Sequence, residues 1–496
     1  MKTEVGHRVV GVGDVISLNL SRSRYHLVFL CLFAVGFALR TIAWLAYKPA
    51  ILLLGDTLAY LSVAAGEASG PNWHPILYSL LLKPALWMGS LASVTAIQHV
   101  LGLLLAVLLY LLLIRLGARP TLAALGTAPL LLDAYQINLE QHILTEALFE
   151  TLFVGALILL AWSIRGSIWI YAVAGALVGL ASVTRFAGLA LLPIALIYIA
   201  IRRVGWVRVS SVGMGFLIAV LGYSVLNERT TGYFGLTDRS GHVLYGKVAT
   251  FADCRGVVLP EHERQLCIDT PVSKRASSYN MWSKNSPLGT MAVPDGVDEK
   301  KIIQSFSRRF ILRQPGDYAV SALSDFFQFF AWKSPEEQQK VRVTRWQFFE
   351  SIDDVKGVAP VFQATGGSPP PGLGVDEELN VNQEFAQFLR SYQGLVYPSG
   401  PLLTFMALLG LVGTFIRRRK SSRDVRPEAM LFTLAGLSLF LFPALFASYH
   451  FRYVIPSLPV LGPAACLGAS VVVDRLSDSK MGVRSKGRGA VEEEPA

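Results

Sequence analysis

The sequence predicts an all-α polytopic membrane protein of about ten transmembrane helices with a small mixed extracytoplasmic domain. Three observations lead there. Of the 496 residues, 52% are hydrophobic and only 16% are charged, whereas a soluble domain carries about a quarter charged. The apolar residues fall in long blocks, as spans require. The basic residues behind the net charge of +10 cluster beside those blocks, as the positive-inside rule expects. No basic groove or RNA motif accompanies them, so nucleic acid is not an expected partner.

Taken in order, the first block, 25–47, is too long for a signal-peptide core, and no clean small-x-small cleavage site follows. It reads as a retained first span. Further spans are expected at 92–114, 120–137, 143–163, 167–184, 187–203, 209–226, 401–416, 430–449 and 453–473. The third is short and contains Pro129. Arg8, Arg22, Arg24, Arg115, Arg119, Arg165, Arg202, Arg203, Arg208, Arg417, Arg418, Arg419, Lys420 and the basic residues from Arg475 onward all fall on one side if both termini are cytoplasmic. That consistency favours an even number of spans.

The chain then divides into an N-terminal membrane module at 1–226, an extracytoplasmic segment at 227–400, C-terminal membrane helices at 401–473, and a tail at 474–496. The 227–400 piece is too long for an ordinary loop. It has apolar content of its own, such as Phe326, Phe327, Phe329, Phe330 and Trp332. Within it, Gly366-Gly-Ser-Pro-Pro-Pro-Gly372 reads as a turn or mobile loop. The tail is rich in Gly, Ser and charge and is expected to be disordered. Cys254 and Cys267 lie in the outer segment, where a disulfide can persist. Cys31 and Cys466 lie in spans and read as packing residues. Gly11-x-Gly13 is too short for a dinucleotide motif.

The informative charges lie at the outer ends of spans. Burying an ionisable group there is costly, so each is a functional candidate. Arg40, Lys83, Arg185 and Arg452 bring cations from four elements to one membrane level. A phosphate at that level would account for them, because arginine and lysine form charge-assisted bonds to phosphate oxygens. Pairing with nearby acids and snorkelling would also account for them. Asp56 follows the first span and suits either a general base or the N-cap of a helix over 57–65. Asp133 and Glu140 flank an outer turn, where solvation suffices, above all for Glu140. His142, Glu146 and Glu150 recur every fourth residue and share a helix face. The two glutamates need partners at that depth, and Arg185 or Arg452 could serve. A divalent metal is a further option there, though the spacing is no metal signature. Trp73, His74 and Tyr78 read as interfacial aromatics, with His74 orienting an acceptor or holding structure.

These residues form a pattern. An acid is followed by a tyrosine-bearing helix (Asp56, Tyr60), and His-Pro-x-Leu-Tyr runs into the next helix (His74 to Tyr78). Leu-Thr-Glu-Ala-Leu-Phe (Leu144 to Phe149) precedes Ala-Ser-Val-Thr-Arg-Phe, and Arg-Tyr-Val-Ile-Pro-Ser-Leu-Pro opens the last span (Arg452 to Pro459). In this order the chain resembles the GT-C glycosyltransferases, in particular the protein O-mannosyltransferase and aminoarabinose transferase superfamily. The likeness covers roughly Arg40 to Arg203 and the last span. It does not reach the 227–400 segment. Many relatives carry Asp-Glu in the first loop where this chain has Asp56-Thr57, which puts a metal-binding role for the second acid in doubt.

The resemblance implies an inverting glycosyltransferase. It would move a sugar from a polyprenyl-phosphate donor in the membrane lipid to a hydroxyl of a protein, lipid or polysaccharide acceptor. Asp56 would be the base. Arg40, Lys83, Arg185 and Arg452 would hold the donor phosphate, and Tyr60, His74, Asp133, His142 and Glu146 would support them. Two other readings compete. A lipid-linked glycan polymerase or ligase would need outer arginines but no first-loop aspartate. A transporter or flippase would need midplane charges and broken helices in matching halves.

Overall fold

The computed structural model describes residues 25–52, 56–66, 74–162, 166–237, 239–293, 296–332, 346–351, 379–418 and 423–488. Side chains are described as far as residue 476. The 366–372 turn, Gly11 and Gly13, Trp73, and the basic residues Arg8, Arg22, Arg24, Arg165, Arg419 and Lys420 lie outside them.

The described residues are mostly helical, with almost no sheet. The N-terminal half contains α1 (Leu27–Ala46), α2 (Asp56–Ala65), α3 (Leu77–Trp87), α4 (Ala92–Arg115), α5 (Pro120–Leu132) and α6 (Ala134–Glu140). It continues with α7 (Glu146–Trp162), α8 (Ile168–Ser182), α9 (Leu191–Ile201) and α10 (Trp206–Thr231). The segment that follows has α11 (Ser240–Val248), α12 (Ser277–Trp282), α13 (Glu299–Arg313), α14 (Pro315–Gln328) and α15 (Gln383–Leu395), with shorter turns between. The C-terminal helices are α16 (Gly400–Phe415), α17 (Arg426–Phe446) and α18 (Leu458–Arg488).

By length and composition, α1, α4, α10, α17 and the run Phe451–Leu476 can each cross a membrane. The pair α15 and α16, bent by 57°, passes the same test as a unit. α5, α8 and the run Phe186–Ile201 are shorter apolar helices. This is an all-α membrane protein. The exposed faces of α1 and α10 carry Leu30, Phe37, Trp206 and Ile218 outward, as lipid contact requires.

Small residues bring the helices close where packing is tightest. Gly175 of α8 and Gly215 of α10 face each other's backbones, and a Cβ on either would strike Val212 O or Ala172 O. The main apolar core runs between α4, α5, α7, α8, α9, α17 and α18 and includes Leu109, Phe153, Val178, Phe432 and Leu467.

The fold differs from the sequence reading in three places. The third span, expected at 120–137, ends at Leu132 because the Asp133 carboxylate accepts bonds from Tyr135 N and Gln136 N. That cap starts the separate short helix α6. The 227–400 segment is helical rather than mixed in its described part. Its regular β-structure there is two residues, Asn380–Val381, paired antiparallel with Tyr47–Lys48. α13 and α14 are amphipathic, and α13 buries Ile303, Phe306 and Phe310 against Tyr245 and Leu266. That core lies beside the disulfide joining Cys254 and Cys267. At the far end, where the sequence reading expected a disordered tail from 474, α18 continues as helix through 474–488.

Candidate functional site

The site is built where several helices begin or end. α2 starts at Asp56 and α7 at Glu146, so both carboxylates lie in first turns, where backbone N–H groups are unpaired and the helix dipole favours negative charge. Arg185 precedes the 3-10 turn Phe186–Ala190 that follows α8. Arg452 lies in the 3-10 turn Phe451–Ser457 leading into α18, and the His450 imidazole accepts from its backbone N–H at 3.3 Å.

The four groups meet. Arg452 donates from Nη1 to Asp56 Oδ2 at 2.7 Å and from Nε to Glu146 Oε1. Arg185 Nη1 donates to the same Glu146 oxygen at 2.5 Å. His74 Nε2 lies 3.2 Å from the other Asp56 oxygen. Tyr60 packs its ring 5.3 Å from His74 and 5.2 Å from Tyr78. The Arg185 guanidinium lies over Tyr453 and that of Arg452 over Trp346. Glu146 is buried, while the Asp56 side chain keeps about 26% of its surface exposed. With His74, at 29%, it is the most exposed part of the cluster.

Partial burial alone would raise the Asp56 pKa, but His74 and Arg452 more than reverse it and hold the carboxyl well below its usual range. Asp56 is therefore ionised throughout the neutral range, as a proton acceptor must be, and is a weak base. Burial pulls His142 down to about 3. It is neutral, and its Nε2 faces Asn138 Oδ1 at 3.1 Å, which leaves Nδ1 as a lone-pair acceptor.

Several buried polar atoms here have no hydrogen-bond partner among the described residues. They are Glu146 Oε2 and His142 Nδ1, which accept, and Asn138 Nδ2 and Trp346 Nε1, which donate. The rings of His142 and Trp346 lie 6.0 Å apart, and Arg452 stacks on Trp346. An unmade bond on a buried polar atom costs about 1–3 kcal/mol, so such a set marks a place where a polar partner is expected.

Other candidates are drawn away from this site. Arg40 is only 2% exposed, and its guanidinium is forked on Glu140 at 2.8 and 2.9 Å. Its remaining donors go to the carbonyls of Leu130, Leu131 and Gly36. The first two are among the last carbonyls of α5, which lack helical partners, so Arg40 caps that helix and offers nothing to a phosphate. Glu140, expected to be solvated, is buried between Arg40 and His99. Asp133 is buried and serves as the α6 cap. Lys83 is half-buried on α3 and does not enter the ion-pair cluster. Glu150 accepts from Gln136 Nε2 at 2.7 Å, and the same amide reaches Glu140 at 3.0 Å. Among the described residues no group of three or more His, Cys, Asp or Glu is placed to hold a metal.

Gln98, His99, Asn138 and Trp346 complete the surroundings, and sequence reasoning did not single them out for this role. Gln98 and His99 carried a readable signal, since two polar residues side by side in a span need partners. Gln98 receives the Tyr78 hydroxyl and donates to the carbonyls of Glu140 and His142. Trp346 carries no such mark.

The structural role of Arg40 makes a prediction. Arg40→Met leaves the Glu140 charge buried with His99 and the Gln136 amide but no guanidinium, and breaking such a pair costs about 3–5 kcal/mol. The thermal midpoint should fall by several degrees, and the combined Arg40→Met, Glu140→Gln protein should regain most of it. An unchanged midpoint in the single variant would rule out this pair as a structural tie. Comparisons with protein-family models and with curated proteins find no match.

Proposed function

We propose that the protein is an inverting, polyprenyl-phosphate-sugar-dependent glycosyltransferase of the cell membrane, with its active site on the extracytoplasmic side. In this reading about ten helices cross the membrane, and the 227–400 segment lies outside. The observation that carries the proposal is the ionised, part-exposed Asp56 held by Arg452 and His74, with Glu146 and Arg185 behind it. Burying two guanidinium groups and two carboxylates together costs desolvation that an apolar core would avoid. Such a constellation at helix ends is a candidate for chemistry.

The acceptor hydroxyl approaches the exposed edge of Asp56. Its oxygen forms a bond to the anomeric carbon while the bond from that carbon to the phosphate oxygen breaks. The electron pair leaves on the polyprenyl phosphate, and the hydroxyl proton passes to Asp56. A weak base suffices when the proton leaves late, after the attacking oxygen has gained positive charge. Arg185 and Arg452 counter the growing charge on the phosphate. The bare atoms of Glu146, His142, Asn138 and Trp346 combine acceptors with donors. That mixture suits sugar hydroxyls, which give and take hydrogen bonds, better than a phosphate, which only accepts.

The test incubates protein-containing membranes with a panel of polyprenyl-phosphate sugars and measures sugar release and lipid phosphate. One donor should be consumed, and consumption should require Asp56. If none is consumed while lipid-linked oligosaccharide pyrophosphates are, the polymerase or ligase reading replaces this one.

A further inference from the structure

A second polar site has a wall that leads along the chain to this cluster. A cleft of about 750 Å³ opens between the turn after α11, the start of α12, α14 and the residues just before Arg452. That volume falls in the range of roughly 300–1,000 Å³ usual for small-molecule sites. We propose that this cleft binds the neutral saccharide portion of the acceptor. The role as acceptor site rests on the transferase reading above, whereas saccharide binding does not.

The lining carries the argument. Thr250, Ser321 and Ser324 contribute hydroxyls from two sides, and the Thr250 and Ser321 hydroxyls lie 3.3 Å apart. Phe251 and Tyr449, both largely buried, add aromatic surface to the lining, which suits the C–H side of a sugar. The charges that might select an ion are largely spent. Asp325 takes the Lys247 ammonium at 2.6 Å, and Asp253 takes the Arg255 fork. Arg275 donates to the carbonyls of Thr270, Ala252 and Ile268 at 2.7, 2.7 and 2.8 Å. Its guanidinium thus has little left for a phosphate. Asp317 is exposed at the rim and suits the paired hydroxyls of a sugar. Hydroxyls, aromatic faces and one carboxylate, without a free cation cluster among the described residues, fit a neutral polyol and disfavour a phosphorylated ligand.

Position links the cleft to the chemistry. Its wall includes Ser448 and Tyr449. The next residue, His450, caps the turn that holds Arg452 against Asp56. A saccharide in the cleft therefore lies three residues along the chain from a guanidinium that touches the proposed base.

The test uses the full chain in lipid nanodiscs and saturation-transfer NMR. The probes are neutral gluco-, manno- and galacto-oligosaccharides of two to five sugars and their phosphate monoesters. At least one neutral series should bind, with the monoesters weaker. Ser324→Trp places a large ring in the cleft from an exposed helix position and should weaken binding at least tenfold. Should Ser324→Trp lower the thermal midpoint, Asp317→Asn serves instead, with about threefold weaker binding expected. Failure of every neutral saccharide to bind, preference for the monoesters, or binding indifferent to these cleft substitutions overturns the proposal. Saccharide binding in a protein that consumes no polyprenyl-phosphate sugar would remove the transferase reading and leave the saccharide site standing. Sugar transfer that survives while no saccharide binds would do the reverse.

Discussion

Asp56→Asn is expected to lower sugar transfer by about a hundredfold or more, within the range that a lost general base removes. The substitution keeps the side chain's size and leaves one oxygen to accept from Arg452, now 2.7 Å from Asp56. What it removes is the negative charge, and with it the carboxylate that the cluster presents toward solvent. His74 does not replace it, because that imidazole faces the aspartate at 3.2 Å. Folding must be measured alongside. A carboxylate with a depressed folded pKa adds stability above its unfolded value of about 3.9, and loses that contribution as pH falls through the lower folded value. At neutral pH that contribution is fully present in the wild type and absent in the variant, so a modest drop in thermal midpoint is expected. The same sign fixes a pH signature. In the wild type Asp56 stays ionised well below the usual carboxylate range, so it should impose no acid limb on transfer at about pH 4. With Arg452 replaced by methionine, the Asp56 pKa must rise, and an acid limb should move up into the measurable range. Near-normal turnover by Asp56→Asn would end its assignment as base.

Much of this site could be read from the sequence because its charges stand at the ends of apolar helices, where solvation cannot explain them. Asp56, Glu146, Arg185 and Arg452 stand out for that reason, and the folded chain brings them together. Arg40 carries the same signal and goes elsewhere. Its partners are a glutamate 100 residues away and the end carbonyls of α5, and no local pattern announces a pairing of that range. The boundary at Asp133 was legible in principle, since an aspartate before a helical run is a cap signal; the apolar stretch around it hid the break. In the 227–400 segment α13, α14 and α15 run 15, 14 and 13 residues, long enough for a helical period to be read, whereas α11 and α12 are short and separated by turns, which gives the segment its mixed look. Its core forms only when α11 meets α13. Trp346 reaches the site from that segment across a long sequence gap, and only tertiary structure puts its ring over Arg452.

Arg452→Met should separate two roles of one guanidinium. As a structural partner, Arg452 holds Glu146 and Asp56. As a phosphate ligand, it would stabilise the leaving group. Removing it leaves Glu146 with Arg185, still at 2.5 Å, so the loss of stability should be about 3 kcal/mol, the low end for breaking a buried pair. Adding Glu146→Gln removes the uncompensated charge and should recover most of that stability, since contacting residues couple rather than add. Donor binding should not recover, because the amide introduced by Glu146→Gln no longer competes for a cation yet supplies none for the phosphate. Arg452→Lys gives the complementary result. It keeps a positive charge near Asp56 but lacks the fork that bonds two acceptors at once. Its thermal midpoint should fall less than that of Arg452→Met, while its affinity for a polyprenyl-phosphate sugar should drop about tenfold, roughly one charge-assisted bond. Thermal unfolding and donor binding on the three proteins distinguish the cases. If the Arg452→Met, Glu146→Gln protein regains stability and donor affinity together, Arg452 is a counterion for Glu146 and has no place in the phosphate site. If stability returns and affinity stays low, the guanidinium serves the donor directly, and the pairing seen with Asp56 is the resting arrangement that the donor phosphate displaces.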